Sequence, residues 1–238
     1  MINLTGNQSH LRRSMKCVTI GFAACIAAMC GGAILNQRLK NRQVLEEIAL
    51  PPPQAKGTMS LEETLAKRRS IRQFASRSLS LAQIGQLMWA AQGITDPARG
   101  FRTAPSAGAL YPLEIYLVTP DGLYHYVPQG HLLERLRRDD PRKDLAAAGL
   151  DQEQIRQAAL NIVIAAVVRR TEVKYHERAM RYIFIEIGHV AENILLQATA
   201  LGLGSVPIGA FDDGRVARLL GLSQGEEALY IISLGYPP

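Results

Sequence analysis

Cysteine is missing from most of the chain. The 238 residues include three cysteines, Cys17, Cys25 and Cys30, and none follows residue 50. A disulfide framework, a thiolate nucleophile and a cysteine-ligated metal are therefore excluded from the chemistry of the later residues. The five histidines show no H-E-x-x-H or similar ligand spacing. The sequence therefore predicts no metal site.

A basic excess is also missing from the same part of the chain. The formal net charge is +6, but residues 1–50 carry six basic and two acidic side chains, which leaves only +2 for the rest. Aromatic platforms and nucleic-acid recognition motifs are not found either, so we expect no nucleic-acid partner. With 47% hydrophobic and 20% charged residues, the composition is typical of a globular protein with one sizeable core.

An uncharged run, residues 17–35, comes before that core. It is nineteen residues long and follows Arg12, Arg13 and Lys16. The run is long enough to cross a bilayer as a helix. The pattern indicates either an export signal of the twin-arginine type or a retained membrane anchor. Basic residues flank both ends of the run, so the orientation of an anchor stays open. The domain that follows could lie on either side of the membrane, including the cytoplasmic face.

These observations predict three segments. Residues 1–50 are predicted to be a signal peptide or membrane anchor with a hydrophobic helix, and residues 51–57 a proline-containing tether. Residues 58–238 are predicted to be the catalytic domain, exported or membrane-anchored in a bacterial cell envelope.

Hydrophobic spacing and capping residues predict an α+β domain. Capping boxes begin at Ser60 and Ser80 and open helices over about 61–69 and 81–92. The other predicted elements are a hairpin of strands 113–119 and 123–128, a helix from Asp151 to about 159, a strand over 161–168, a helix over 177–201, a helix from Asp212 to Leu220 and a strand over 228–235.

Three motifs carry the chemistry. The first is "RRSIRQF" at residues 68–74, which by itself fits either a solvated helix end or a site for a phosphate anion. The second is "RTAPSAGALYP" at residues 102–112, and the third is "LGLGSVPIGAF" at residues 201–211. In this order, the motifs resemble the FMN-dependent nitroreductase superfamily, in its SagB-type (azoline dehydrogenase-like) branch, over about residues 58–238.

The resemblance implies a fold, a cofactor and a set of site residues. The fold is a central, mainly antiparallel sheet flanked by helices, in a homodimer that binds FMN. In such proteins, residues matching Arg68, Arg69, Ser70 and Arg72 hold the FMN phosphate and ribityl chain. The loop that matches Pro105, Ser106, Ala107 and Gly108 packs on the flavin from the partner subunit. The turn that matches Pro207, Ile208, Gly209 and Ala210 faces flavin N5.

The resemblance also implies an activity. Lys174 and Tyr175 match a lysine–tyrosine pair that handles protons in azoline-oxidising members. We expect a flavin-dependent oxidoreductase that reduces nitro or quinone compounds, with NAD(P)H as one electron donor, or that dehydrogenates an azoline ring. The substrate, the electron partner and the remaining FMN phosphate ligand stay open.

Simpler interpretations exist for each feature. The glycines and prolines fit tight turns, while Lys174 and Tyr175 fit a surface lysine and a packing tyrosine ahead of a helix. Arg178, Arg181 and Glu186 fit surface pairs on that helix. Two rival functions are a non-catalytic flavin-binding module at a membrane and a structural, membrane-anchored domain without flavin.

Overall fold

A seven-stranded sheet organises residues 43–238, the part of the chain that the computed structural model describes. The strand order is β1-β6-β5-β4-β7-β9-β8, and every neighbouring pair is antiparallel. The strands are β1 (Glu46–Ala49), β4 (Leu113–Thr119), β5 (Gly122–Val127), β6 (Leu132–Arg137), β7 (Leu160–Val167), β8 (Gly204–Ile208) and β9 (Glu226–Gly235). A separate ribbon pairs β2 (Ile94–Asp96) with β3 (Phe101–Arg102).

Helices cover both faces of this sheet. They are α1 (Leu61–Lys67), α2 (Leu81–Gln92), α3 (Arg142–Ala148), α4 (Glu153–Gln157), α5 (Val168–Tyr175), α6 (Ala179–Ala200) and α7 (Asp213–Leu220). Short 3-10 turns occur at Ala107–Ala109 and His176–Arg178.

Alternating side chains of the central strands divide the core into two layers. Ile115 and Leu117 of β4 join the cluster that contains the buried faces of α2 and α6. Tyr116 and Val118 point the other way and join the cluster with α3 and α7. This period of two is the expected geometry of a strand that is covered on both faces. The predicted α+β fold with a mainly antiparallel sheet is confirmed.

The first helix ends earlier than the sequence predicted. Both capping boxes form, and α2 has the predicted bounds. Helix α1, however, ends at Lys67, because Arg68 takes extended backbone angles (φ −55°, ψ 126°). Arg68 and Arg69 therefore lie in an extended segment after the helix.

The helix predicted from Asp151 is also shorter. Leu150 and Asp151 have positive φ angles of 59° and 56°, which are incompatible with a right-handed helix. Helix α4 therefore begins at Glu153, with Gln152 as its N-cap.

The folded unit begins before residue 58 and includes residues assigned to the N-terminal segment and the tether. Strand β1 pairs with β6, from Glu46 opposite Arg135 to Ala49 opposite Leu132. The buried Leu50 donates its N–H to the His131 carbonyl at 3.0 Å, and His131 Nε2 donates to the Pro51 carbonyl at 3.1 Å. Because these bonds tie the segment to the sheet, the compact unit extends from Gln43 to Pro238.

The predicted hydrophobic helix over 17–35 lies outside the described residues. Within residues 43–238, no helix combines the length and the apolar character needed to cross a bilayer.

Candidate active site

Residues 68–72, which we call the arginine segment, follow α1 and lie along the β8 edge of the sheet. Ser70 forms a parallel bridge with Ser205, and the Ile71 N–H donates to the Ser205 carbonyl at 2.9 Å. A Cβ atom on Gly204 would lie 2.8 Å from the Ile71 side chain, so only glycine allows this close approach. The chain then passes the start of β8 and reaches the end of β9, where the Ala75 N–H donates to the Tyr236 carbonyl at 2.8 Å.

The cations of this segment have few internal partners. Arg68 Nε lies 3.9 Å from Glu192 Oε1 of α6, and Arg69 Nη1 donates to the Arg68 carbonyl at 2.6 Å. Within residues 43–238, neither Arg69 nor Arg72 forms an ion pair with a carboxylate, and both are exposed. This edge therefore carries guanidinium groups that can bind an anion.

The end of β8 leads into an exposed turn. Ile208 is buried in the core cluster with α3 and α7, whereas Gly209 and Ala210 are exposed. The Ala210 carbonyl accepts a hydrogen bond from Gln152 Nε2 at 2.9 Å, which fixes the turn on the side of α4. The turn is thus held in place while its backbone faces solvent.

A second group forms where the loop after β3 meets the end of α5. Gly108 has a φ of +63°, and a Cβ atom there would lie 2.8 Å from Lys174 Nζ and 3.0 Å from Tyr175 Oη. A side chain at this position would be strained by the positive φ and would displace the Lys174 amine. Lys174 and Tyr175 lie just ahead of α6, as predicted, and are themselves the last residues of a further helix, α5.

Polar side chains form a closed ring beneath this loop. The Ser106 hydroxyl accepts the Tyr111 N–H at 2.9 Å, and the Arg102 guanidinium lies over the Tyr111 ring at 4.4 Å. Arg102 Nη1 donates to Gln92 Oε1 at 3.0 Å, and Gln92 Nε2 donates to Glu186 Oε1 at 3.3 Å. The Ser106 hydroxyl hydrogen-bonds to the Glu186 carboxyl and closes the ring. We call these five residues the polar ring.

Burial dominates the electrostatics of Glu186. Its side chain lies on α6 and the residue is only 2% exposed. Burial raises its pKa above the ordinary value, although hydrogen bonds from Ser106 and Gln92 and the charges of Arg102 and Arg170 act in the opposite direction. Burial likewise lowers the pKa of Arg102.

An ion-pair chain extends from the loop into the sheet. Arg170 Nη1 donates to the Tyr111 carbonyl at 3.0 Å, and its Nη2 lies 2.5 Å from Glu114 Oε1. His125 Nε2 lies 2.6 Å from Glu114 Oε2. Burial by itself raises the pKa of Glu114, but the hydrogen bond from His125 and the charge of Arg170 outweigh it and lower that pKa to about 2.

Sequence reasoning missed most of these supporting residues. The interpretation of Glu186 as a helix-surface residue is wrong, because the residue is buried. Its spacing carried the signal: it lies three residues after Ile183 and four before Val190, on the apolar face of α6. Gln92, Glu114 and Arg170 are distant in sequence and gave no pattern, and Arg102 lies in the second motif but was assigned no role.

The structure thus gathers the predicted residues into two groups. One joins Arg68–Arg72 to the start of β8, and the other joins the Pro105–Gly108 loop to Lys174 and Tyr175. Helix α6 connects them, with Glu186 beneath the loop and Glu192 beside Arg68. Six residues of helix separate these two glutamates by about 9 Å along the axis.

Known proteins share both the sequence and the fold. The profile of the Nitroreductase family matches residues 65–236. The protein MJ1384 from Methanocaldococcus jannaschii, named as a nitroreductase, is 42% identical over 184 residues. The match covers 75% of this chain and 91% of MJ1384. The microcin B17-processing protein McbC from Escherichia coli is 27% identical over 165 residues, covering 65% of this chain and 61% of McbC.

A solved structure agrees with these relatives. A nitroreductase-type protein from Ralstonia eutropha JMP134 superposes with a TM-score of 0.74 at 30% identity, covering 82% of this chain and 91% of that chain. The family match spans the arginine segment, the polar ring and the end of β8. The chain therefore belongs to the nitroreductase family of oxidoreductase enzymes, in its SagB-type branch.

Proposed function

We propose that the protein binds FMN and that the arginine segment holds the FMN phosphate and ribityl chain. The observation that carries this proposal is the parallel bridge between Ser70 and Ser205, which brings the cations to β8, the strand whose far end holds Pro207 and Ile208. Planar guanidinium forks and a hydroxyl donor suit a phosphate dianion. In this assignment Arg68, Arg69, Ser70 and Arg72 are the phosphate and ribityl ligands.

The exposed backbone of the second half of the site suits the flat ring of the cofactor. Gly209 and Ala210 are exposed just after β8, and the nearest atom to a Cβ on Gly209 would be 4.0 Å away, on Tyr230. We assign Pro207–Ala210 to the N5 side of the ring and Pro105–Gly108 to the ring face. When bound, FMN supplies hydride-transfer chemistry, while the chain supplies binding, orientation and electrostatics.

Lys174 and Tyr175 are assigned to proton transfer. Both side chains reach Gly108, so an amine and a phenol border the loop that would cover the cofactor. Lys174 Nζ lies 5.5 Å from the centre of the Tyr175 ring. An amine next to a phenol can accept a proton from a substrate carbon or nitrogen atom while hydride leaves for the cofactor.

We further propose that the enzyme is a homodimer. One face of α6 exposes Phe184, Ile185, Gly188 and His189, and a Cβ on Gly188 would meet no atom within 4 Å. An apolar helix face with a glycine at its centre suits close packing against a second copy. The partner's loop would then complete the site begun by the arginine segment of the first protomer.

The proposed reaction is hydride transfer between FMN and a small organic substrate. The name of McbC, a microcin-processing protein, favours azoline-type dehydrogenation; reduction of nitro or quinone compounds with NAD(P)H is the other direction. We also propose that residues 1–50 direct the protein to, or anchor it in, the cell envelope, because they include the uncharged run at 17–35.

The test is the absorbance spectrum of the full-length chain, purified in mild detergent. We expect a bound flavin that is identified as FMN after release, and we expect Arg72→Ala to lose it. The exposed Arg138 directly follows β6 and pairs with Glu46 of β1. It provides the control variant Arg138→Ala, which should keep FMN. Colourless protein that takes up no FMN on reconstitution contradicts the proposal.

Turnover separates proton transfer from cofactor binding. We expect Lys174→Ala to retain FMN at wild-type occupancy and to lose oxidoreductase turnover, because the amine borders the loop without touching the arginine segment. Unchanged turnover would remove Lys174 from the site.

A further inference from the structure

A buried carboxyl group lies on the apolar face of α6 without a role in the proposed reaction. Glu186 is surrounded along the helix by Ile183, Ile187 and Val190, which are all buried. A carboxylate is costly to bury unless it is hydrogen-bonded or paired. Perturbed, buried ionisable groups next to a cleft are frequent at functional sites.

The contacts of Glu186 lead to one loop. Its carboxyl group hydrogen-bonds to Gln92 from α2 and to Ser106 from the loop, and it faces the charges of Arg102 and Arg170. The Arg102 guanidinium lies over the Tyr111 ring, and the Arg102 backbone N–H donates to the Tyr111 hydroxyl at 3.2 Å. Both ends of the loop, Ser106 and Tyr111, are therefore held by the polar ring.

The loop needs such support because its backbone is strained. Besides Gly108, the non-glycine residues Ala109 and Tyr111 have positive φ angles of 54° and 46°. These conformations are disfavoured for residues with a Cβ and persist only where the surroundings hold them. The Ser106 hydroxyl contributes directly by accepting the Tyr111 N–H.

We infer that Glu186 is a positioning residue that, through Ser106 and the polar ring, holds the Pro105–Gly108 loop in the conformation that receives the cofactor and borders Lys174 and Tyr175. The inference rests on the proposed FMN site. It predicts that loop order and FMN affinity depend on the charge of a side chain that touches neither the cofactor nor the substrate.

The ionised carboxylate is the stronger acceptor for Ser106. The charged groups that face it are Arg102 from β3 and Arg170 from α5, and both stay cationic over the working range. As the pH falls through the raised pKa of Glu186, the carboxyl takes up a proton and Ser106 loses its charged acceptor. FMN affinity should therefore weaken toward acidic pH.

The first experiment needs no cofactor. Backbone amide hydrogen exchange of residues 106–111 is measured in the full-length apo chain for wild type and Glu186→Gln. We expect exchange in the variant to be faster on the order of tenfold, as for the loss of one charge-assisted hydrogen bond. Glu226→Gln is the matched control, because Glu226 is also buried and accepts the Ser223 N–H at 3.2 Å, outside the polar ring. Equal exchange in wild type and Glu186→Gln overturns the inference.

The second experiment measures FMN affinity by flavin fluorescence from pH 5 to 8. FMN and the other groups titrate in both proteins, so the difference between the wild-type and Glu186→Gln curves isolates Glu186. We expect a weaker affinity for the variant at neutral pH and a difference that shrinks toward acidic pH, together with a Ser106→Ala effect that is not additive with it. If wild type binds FMN and the variant has the same affinity and pH profile, this inference fails alone. If wild type binds no FMN, the proposed function fails, and the exchange experiment still decides the role of Glu186.

Ser106→Ala also covers the case in which Glu186→Gln does not fold. It removes the same hydrogen bond from the loop side and leaves α6 unchanged. Because Ser106→Ala also removes the acceptor of the Tyr111 N–H, the readout is the pH dependence of protection at residues 107–110. We expect this protection to fall toward acidic pH in the wild type and to stay constant over the same range in Ser106→Ala. The same pH dependence in both proteins contradicts the inference.

Discussion

At the scale of single residues, both the positive φ angle of Gly108 and its contact with Lys174 and Tyr175 favour glycine. We expect Gly108→Ala to lower the free energy of unfolding by about 1 kcal/mol, because alanine is strained at positive φ. The new methyl group would also displace Lys174 and reduce turnover. Gly221→Ala is the control, since Gly221 has a φ of +65° but a Cβ atom there would meet no atom within 4 Å. Urea unfolding and turnover distinguish the two, and equal turnover in both variants would contradict the contact.

A second residue-scale prediction concerns acid stability. The pKa of Glu114 is lowered to about 2 in the fold, so its stabilising contribution is present above the unfolded value near 4.5 and is lost as the pH falls toward 2. That difference corresponds to about 3 kcal/mol. We expect Glu114→Gln to be less stable at neutral pH and to show a flatter decline between pH 5 and 2. Urea unfolding over this pH range measures the free energy of unfolding, and the exposed Glu227→Gln is the control. The same decline between pH 5 and 2 in wild type and both variants would contradict the prediction.

The residues that sequence could identify are those whose role lies in a local motif. Ser60 and Ser80 were found because a capping box spans four consecutive positions, and both boxes form. Glu186 was misplaced because its partners Gln92 and Ser106 come from distant segments. A single sequence does not show which distant polar residues will meet in a core, so buried networks escape local patterns.

At the scale of elements, the arginine segment depends on the close approach of an extended chain to β8. A Cβ on Gly204 would lie 2.8 Å from Ile71, and one on Gly235 would lie 2.9 Å from Phe74. We therefore expect Gly204→Val to push the segment away from the sheet and to weaken FMN binding on the order of tenfold or more, a loss of about 1.4 kcal/mol. Fluorescence titration measures this change. Gly57→Ala is the control, because its nearest neighbour is 4.0 Å away, and an unchanged affinity in Gly204→Val would show that the segment does not depend on this packing.

The elements themselves were predictable where one hydrophobic period dominates. Strand β7 is buried at every position and α6 has a continuous apolar face, so both were identified to within a few residues. Strand β6 was missed because its sequence, LLERLR, does not alternate apolar and polar residues regularly. Its charged Glu134 and Arg135 have their partners on β5 and β1. Strand β1 was missed because it follows the apolar run of the N-terminal segment in sequence.

At the scale of the whole molecule, the exposed face of α6 is the proposed dimer interface. Phe184 and Ile185 are 56% and 50% exposed in the single protomer. We expect Ile185→Asp to yield a monomer in size-exclusion chromatography with light scattering and to lose FMN, because the proposed site needs the loop of the partner. Leu81→Asp is the control: Leu81 is exposed in the first turn of α2, where an acidic residue is tolerated. A dimeric Ile185→Asp variant would contradict the proposed interface.

The pairing of β1 with β6 affects how the protein can be shortened in the laboratory. A fragment that starts at residue 58, after the prolines, would lack β1 and leave the backbone of β6 as an open edge, free to join strands of other molecules. It would also remove the acceptor of the His131 Nε2 hydrogen bond. Fragments that begin at residue 43 should stay in solution under conditions where fragments that begin at residue 58 precipitate.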